Sequence, residues 1–268
     1  MRIRLSFNVI CQNEEELIHQ CLSHLMKIGE AVDGGYEIVI VDGGSRDRTL
    51  EIIKEMVNGA DPSPIRLLQK MWPGGFGEQR QFNMEMSRGE WIMMMDVDDI
   101  LSDGIYARIN DLLADRSRHV YCFPKIHLLH DIHHMLADAP KDPKRVIWRN
   151  LPDFRWSGSL ESFTYQGVPV NQHPCHFNFP WVAYVPDIRL VHFEGLKSDQ
   201  SLLSKFRERS KYERCKIYRW SDEQIQELVA KRKMARVCPV EERHPGLTFY
   251  HEIDKGLWYG AGKDFRRL

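Results

Sequence analysis

The sequence predicts an α/β fold, a mainly parallel sheet with helices on both faces, and three observations carry that prediction. Short apolar runs at Ile3 to Ile10, Tyr36 to Val41, Ile65 to Leu68 and Trp91 to Met95 alternate with stretches whose apolar residues recur at the helical period. Strand followed by helix, several times over, is the pattern of parallel strands joined by crossovers. The run WIMMM at Trp91 to Met95 is unbroken by any polar residue, as a strand buried on both faces of a central parallel sheet requires.

Taken in order, Ile3 to Ile10 is the first strand. Asn13 then reads as a helix N-cap, with Glu14, Glu15 and Glu16 in the first turn and Glu16 completing a capping box. Leu17, Ile18, Cys21, Leu22, Leu25 and Met26 give the helix that follows one apolar face. Asp33-Gly34-Gly35 turns the chain into a second strand, Tyr36 to Val41, which ends in Asp42-Gly43-Gly44-Ser45. The two glycines allow a tight turn and close approach of a ligand, and Ser45 is placed to cap the helix carrying Leu50, Ile52, Ile53, Met56 and Val57. After a short strand at Ile65 to Leu68, the loop with Gly74, Gly75 and Gly77 leads into a helix from about Glu78 to Arg88, and the Trp91 strand follows. Ile105, Ile109, Leu112 and Leu113 mark another helix, and Val120 to Ile126 another strand.

From His127 to Asp153 the periodicity fails, which reads as a lid or substrate loop. Strand-like stretches return at Phe154 to Tyr165 and Tyr184 to His192. Two charged helices then follow, Ser198 to about Tyr218 and Ser221 to Arg236, the second opened by a Ser221 and Gln224 capping box. The division expected is a core over residues 1–196 and a helical extension of the same unit over 197–268.

A chain of 268 residues with 43% hydrophobic and 28% charged residues is long enough and apolar enough to bury a real core. Its net charge of -1 supplies no global field to recruit nucleic acid or an anionic membrane, although a local basic face remains open. The six cysteines form no C-x-x-C pair, which fits a reducing compartment. The start, MRIRLSFNVI, runs straight into a strand without a signal-peptide core, and no apolar run reaches membrane-spanning length. The expected location is the cytoplasm, with no membrane anchor.

Chemistry concentrates where strands end. In open α/β sheets ligands bind beyond the carboxyl ends of the strands. There Cys11 to Glu14, Asp42 to Ser45 and Asp96 to Asp99 should lie side by side. Asp96, Asp98 and Asp99 repel one another unless a cation intervenes, and a hard divalent metal is one remedy. A solvated acidic turn capping the next helix at Ser102 or Asp103 is the other reading. With a metal, the three aspartates form a cradle for a diphosphate. Asp42 lies too early to share that ion and suits a base N–H or ribose hydroxyl, while Arg80 is placed to reach a phosphate.

The ordered pieces NEE at Asn13 to Glu15, VDGGSRDRT at Val41 to Thr49, EQRQFNMEMSRGEW at Glu78 to Trp91 and DVDD at Asp96 to Asp99 resemble the family 2 glycosyltransferases of the GT-A fold. The resemblance covers roughly the first hundred residues, and order makes it more specific than any one piece. It implies inverting sugar transfer from a nucleotide-diphosphate sugar, with UDP-sugars foremost and Mn2+ or Mg2+ as the ion. It further implies donor contact by Cys11, Asn13, Glu14, Asp42, Gly44, Arg80, Asp96 and Val97, with the ion on Asp98, Asp96 and Asp99. Gly43 departs from the pattern, standing where many members have a second Asp, as does Gln81 where Asn is frequent.

RNLPDFRWSGSLESF at Arg149 to Phe163 is similar to the family's acceptor-side segment, which in many members ends in His-Glu; here Leu160 replaces the His and Glu161 remains. Inverting transfer needs a base for the acceptor hydroxyl, and Glu161, then Asp153, are the candidates. His192, in LVHFEG, resembles a histidine that completes the metal shell in some members.

Other clusters carry less. His127, His130, His133 and His134 would share a metal-binding face if helical, and His173-Pro174-Cys175-His176 has zinc-like atoms at poor spacing. The basic run Lys205, Arg207, Arg209, Lys211, Arg214, Lys216 and Arg219 is either a solvated helix face or a surface that closes over a diphosphate or an anionic acceptor such as DNA. Trp156, Trp181, Trp220 and Trp258 are core residues or a sugar platform. The function expected is a metal-dependent glycosyltransferase acting on a soluble glycan, protein or nucleic acid. The rivals are a sugar nucleotidyltransferase, disfavoured by the glycine-free Cys11-Gln12-Asn13-Glu14 turn, and a catalytically silent binding module on the same fold.

Overall fold

The computed structural model describes residues 2–59, 62–72, 74–139, 143–158, 162–170, 179–210 and 220–250. The chain runs β1 (Leu5–Cys11), α1 (Ile18–Glu30), β2 (Tyr36–Asp42), α2 (Thr49–Asn58), β3 (Ile65–Gln69), α3 (Phe76–Glu85) and β4 (Trp91–Met94). It continues through β5 (Asp99–Leu101), α4 (Gly104–Ala114), β6 (Val120–Phe123), β7 (Lys125–Leu129), β8 (Asp131–Leu136) and β9 (Lys144–Arg149). Then come β10 (Phe154–Ser157), β11 (Ser162–Tyr165), β12 (Val168–Pro169), β13 (Val182–Tyr184) and β14 (Leu190–Gly195). The last elements are α5 (Asp199–Ser210), α6 (Asp222–Lys233), β15 (Val237–Pro239) and α7 (Val240–Arg243).

The main sheet has seven strands in the order β13-β6-β9-β4-β1-β2-β3. All its pairs are parallel except those made by β9, which runs antiparallel to β4 and β6. The Trp91 strand behaves as its composition demands. Trp91, Met93 and Met95 enter one apolar cluster with α1 and α4, while Ile92 and Met94 enter a second with Trp148, Phe154 and Phe163. A strand that feeds two cores has no face left for polar residues, so the run stays apolar until the sheet ends.

The stretch expected to be irregular is largely strand. Lys125 to Leu136 forms the β7–β8 hairpin, and Lys144–Arg149 inserts as β9 into the middle of the main sheet. The four histidines of residues 127–134 therefore lie on strands or the turn between them, without the helical face a shared metal site would need. The five-stranded second sheet, β15-β8-β7-β14-β5, joins this hairpin to the short strand carrying Asp99. The Ser221 and Gln224 capping box forms as expected, with each residue's side chain bonded to the other's backbone N–H at 3.2 and 2.8 Å.

At the first helix the local pattern loses to distant partners. α1 starts only at Ile18, and Asn13 takes a left-handed conformation (φ 55°) in which its side-chain carbonyl accepts the Arg46 N–H at 2.8 Å. Ser45 likewise does not cap α2; its hydroxyl binds Asp42, and the Asp47 carboxylate takes the Thr49 N–H at 3.0 Å.

His24 on α1 is wholly buried, and its Nε2 accepts the Leu101 N–H at 3.1 Å, which ties α1 to β5. Burial, helped by Lys27, pushes its pKa down from 6.5 to about 3. A depressed folded-state pKa means the unfolded chain takes up the proton first. The stabilisation is therefore complete above about pH 6.5 and drains away as the pH falls toward 3. At about 1.4 kcal/mol per tenfold change in proton affinity, the loss by about pH 4 is roughly 3 kcal/mol. Urea unfolding of wild type and His24→Asn should show this as a pH slope present in the first and flattened in the second. Equal slopes would mean that His24 is not the acid-sensitive group.

Candidate active site at the carboxyl edge of the sheet

Strand order places the ends of β4, β1 and β2 next to one another, and Cys11 pairs in register with Asp42. The three segments singled out by sequence thus share one edge. β5 adds a fourth contributor, because its antiparallel register with β14 sets His192 opposite Asp99. The His192 Nδ1 lies 2.7 Å from Asp99 and 3.6 Å from Asp98.

The aspartates are already matched by cations from the protein. Lys144 from β9 bonds Asp96 and lies 2.6 Å from Asp99, whose other oxygen is 3.2 Å from Lys125 of β7. Arg80 from α3 meets Asp96 at 2.9 Å. Lys205 from α5 meets Asp98 at 2.8 Å and Glu194 at 2.9 Å, and Lys197 bonds Glu14 with Asp98 3.6 Å away. Five carboxylates (Glu14, Asp96, Asp98, Asp99, Glu194) thus meet five permanent cations (Arg80, Lys125, Lys144, Lys197, Lys205), with His192 besides. The need for positive charge was legible in the sequence. Its supply by lysines was not.

These pairs set the protonation states. Burial alone would favour neutral carboxyls, yet Lys144 and Arg80 hold Asp96 well below the usual range, and Lys205, His192 and Lys197 do the same for Asp98. Asp99 is held down against burial by Lys125, Lys144 and His192. Burial works to lower the His192 pKa, but the charges of Asp98 and Asp99 prevail and raise it to about 9.

Asp98, Asp99 and His192 each offer one ligand atom, and these atoms lie within 4.8 Å of one another. Two carboxylate oxygens and an imidazole nitrogen are a fitting donor set for an ion of the Mn2+ or Mg2+ class, once His192 gives up its proton. Among the described residues this is the group of His, Cys, Asp and Glu side chains so disposed.

Several residues expected to contact a donor are engaged by the protein itself. Asp42 is fully buried, and its carboxylate accepts the N–H groups of Gly44 (2.9 Å) and Ser45 (3.1 Å) and the Ser45 hydroxyl, bonds that shape the turn. Gly44 has φ 95°, a conformation that suits glycine, and lies under Met71. Gly43 leaves room for Trp72: a Cβ there would come within 2.8 Å of the indole, a physical reason for the departure from a second Asp. Val97 is 4% exposed and packs in the core. Cys11 is buried with its thiol 3.9 Å from Asp42, and burial with that negative charge raises its pKa well above the usual thiol range. Arg80 is also buried, its guanidinium over the Trp156 ring, so its charge serves Asp96. Asn13 organises the Ser45–Arg46 turn. Glu14 reaches the site through Lys197.

Gly77 at the start of α3 donates its N–H to the Gly158 carbonyl at 3.1 Å, which holds the end of β10 against the helix that carries Arg80. Glu161 and the His173–His176 cluster lie outside the described residues, as does Trp258. Asp153 is exposed, just before the start of β10 and at the opposite end of that strand from Gly158. Trp156 is 4% exposed, Trp181 stacks on Phe179 and Trp220 meets Phe206 edge-on, so these three pack against other aromatic rings. Of the basic run, Lys205 and Arg207 fall among the residues described to side-chain level, and Lys205 does close on the acidic cluster.

The sequence profile of the family described as Glycosyl transferase family 2 matches residues 6–155. The lipopolysaccharide core biosynthesis glycosyltransferase LpsC of Rhizobium meliloti (strain 1021) is 32% identical over 113 residues, 42% of this chain and 38% of that protein. The prophage-derived glycosyltransferase SunS of Bacillus subtilis (strain 168) is 28% identical over 207 residues, 76% of this chain and 42% of SunS. The chain thus spans less than half the length of these relatives. Among solved structures it is similar to the mannosyltransferase PcManGT from Pyrobaculum calidifontis, in complex with GDP-Man and Mn2+ (TM-score 0.53, 13% identity, 87% of this chain and 74% of that one). It is also similar to S. aureus TarS 1-349 in complex with UDP-GlcNAc (TM-score 0.51, 14% identity, 86% and 72%).

Proposed function

Since the chain belongs to glycosyl transferase family 2 and has the GT-A fold, we propose that it is an inverting, metal-dependent glycosyltransferase that takes its sugar from a nucleotide-diphosphate donor, a UDP-sugar foremost. The observation that carries the reading is the convergence of Asp98, Asp99 and His192 at the carboxyl edge of the sheet. The ligands in the structures of the neighbours, GDP-Man and Mn2+ in one and UDP-GlcNAc in another, support a donor of this class.

In this reading the acceptor hydroxyl oxygen attacks the anomeric carbon in line, the bond to the diphosphate oxygen breaks, and the nucleoside diphosphate departs. Asp98, Asp99 and His192 would hold a divalent ion, which would supply positive charge against the negative charge gathering on that leaving group. Lys197 lies 3.6 Å from Asp98 and adds positive charge there without a proton having to move. Glu161, just beyond Gly158, is the proposed base that takes the acceptor proton. The helical segment from Lys197 onward belongs to the same working unit, because it brings Lys197 and Lys205 to the site. The proposed acceptor is a hydroxyl of a soluble glycan, protein or nucleic acid, and the proposed setting is the cytoplasm. No helix of the described residues is long and apolar enough to cross a membrane.

A thermal-shift panel of nucleoside diphosphates and their sugars, with and without Mn2+, tests the reading. A ligand held by the native state alone at about a hundred times its Kd stabilises by roughly 2.7 kcal/mol, so the cognate nucleotide should raise Tm by several degrees, and more with Mn2+. A flat panel across all nucleotides would remove the donor assignment and favour a silent binding module.

A further inference from the structure

We infer that Lys205 is an internal competitor for the metal position: its ammonium occupies the Asp98 carboxylate that a divalent ion would take, and so sets the protein's affinity for that ion. The inference rests on the metal-dependent reading above and adds a residue that governs it.

The six cationic groups around the cluster are not equivalent. Lys144 rises from β9, a strand hydrogen-bonded on both sides inside the main sheet, and is only 6% exposed between Asp96 and Asp99. Arg80 and Lys125 serve Asp96 and Asp99. None of these three is paired with Asp98. Lys205 is, at 2.8 Å, and it bridges to Glu194 at 2.9 Å with Glu14 3.7 Å away. Glu194 lies on β14, the strand that also carries His192, so the ammonium sits among the groups that would surround the ion. Lys205 holds Oδ2 of Asp98, whose Oδ1 faces His192 at 3.6 Å, so an ion seated between that oxygen and His192 would lie about a carboxylate's width from the ammonium and be repelled by it. The lysine and the metal therefore compete for Asp98.

Lys205 is also the cation best able to yield. It sits at the end of a long flexible stem on α5, in which Leu202 is the one buried apolar side chain among the residues described to side-chain level. The start of that helix is held by polar contacts that do not involve Lys205: Ser198 and Ser201 on Glu16, Lys197 on Glu14, and Arg232 on Asp199. The stem can therefore swing out while the helix stays docked. Lys197, 3% exposed and bonded to Glu14, stays in place when it does.

The test is Mn2+ binding to the whole chain, followed by titration calorimetry or by the electron paramagnetic resonance signal of free Mn2+, with no nucleotide or sugar present. Lys205→Met should bind Mn2+ about tenfold or more tightly than wild type, as expected when a charge-assisted hydrogen bond no longer has to be broken first. Lys205→Arg, which keeps the charge, should stay close to wild type. Lys205→Gln, which keeps a hydrogen-bond donor and guards against poor folding of the methionine variant, should move in the same direction as Met. Unchanged or weaker binding by both Met and Gln variants, with wild type still binding, overturns the competitor role and leaves the metal reading intact. No Mn2+ binding by any of the four proteins overturns both.

Discussion

Asp98→Asn is expected to lower sugar transfer and donor hydrolysis by about three orders of magnitude while leaving a folded protein. Asp98 is 5% exposed, lies 3.6 Å from His192, and is the carboxylate for which the proposed ion competes with Lys205, 2.8 Å away. Asparagine keeps the volume and one acceptor oxygen but removes the charge. The ion then loses its one carboxylate ligand outside the Asp99–Lys144–Lys125 network, and Lewis-acid stabilisation worth several kcal/mol goes with it. Each 1.4 kcal/mol is about tenfold in rate, which gives the expected size. Folding should suffer less, because Lys205 retains Glu194 and Lys197 retains Glu14. The check is release of nucleoside diphosphate from labelled donor under saturating Mn2+, beside circular dichroism of the same preparation. Near-wild-type turnover in a folded variant would defeat the metal-dependent mechanism at its central residue.

The parallel half of the fold was legible because its physics is local. Crossover helices carry a helical period, and strands buried on both faces carry unbroken apolar runs, so β1 to β4 and α1 to α4 could be read one at a time. β9 was not legible in that way. KRVIWR is a six-residue segment with charges at both ends, and only its antiparallel pairing with both β4 and β6 makes it a central strand. Asn13 and Glu16 show the opposite failure, a pattern locally complete and globally overruled. The residues of the supposed capping box are engaged by Arg46, Ser198 and Ser201, the last two more than 180 residues away in sequence. A cap worth about 1 kcal/mol is given up where the same groups fix the approach of α5 to the site.

The candidate site divides along the same line. Three neighbouring carboxylates announce that positive charge must come from somewhere, and the sequence therefore points to the right edge of the sheet. The carriers, Lys125, Lys144, Lys197 and Lys205, come from separate strands, a helix and a loop before it, so no spacing rule links them to Asp96. His192 was identifiable by resemblance, and the β5–β14 register is what sets it against Asp99.

Lys144→Met should destabilise the protein by about 3 kcal/mol and lower Tm by roughly 6 °C, a larger effect than expected for any exposed lysine in the chain. Lys144 is 6% exposed and its ammonium touches both Asp96 and Asp99. Methionine preserves the length of the stem and its packing, so the variant isolates the charge. Removing one partner of a buried ion pair typically costs about 3–5 kcal/mol, because the other is left uncompensated. The lower end applies here: Asp96 is 28% exposed and keeps Arg80, and Asp99 keeps Lys125 and His192. The cost should be specific to the pairing and so recoverable. In the Lys144→Met background, Asp99→Asn removes the stranded charge, and the double variant should be more stable than the sum of the two single losses by about 1 kcal/mol or more. Additive losses would mean that the charge stranded on Asp99 is not the source of the cost. Coupling would show that Asp99 is held ionised by the protein's own cations before any metal or donor arrives, so that the fold does not depend on the ion proposed for Asp98, Asp99 and His192.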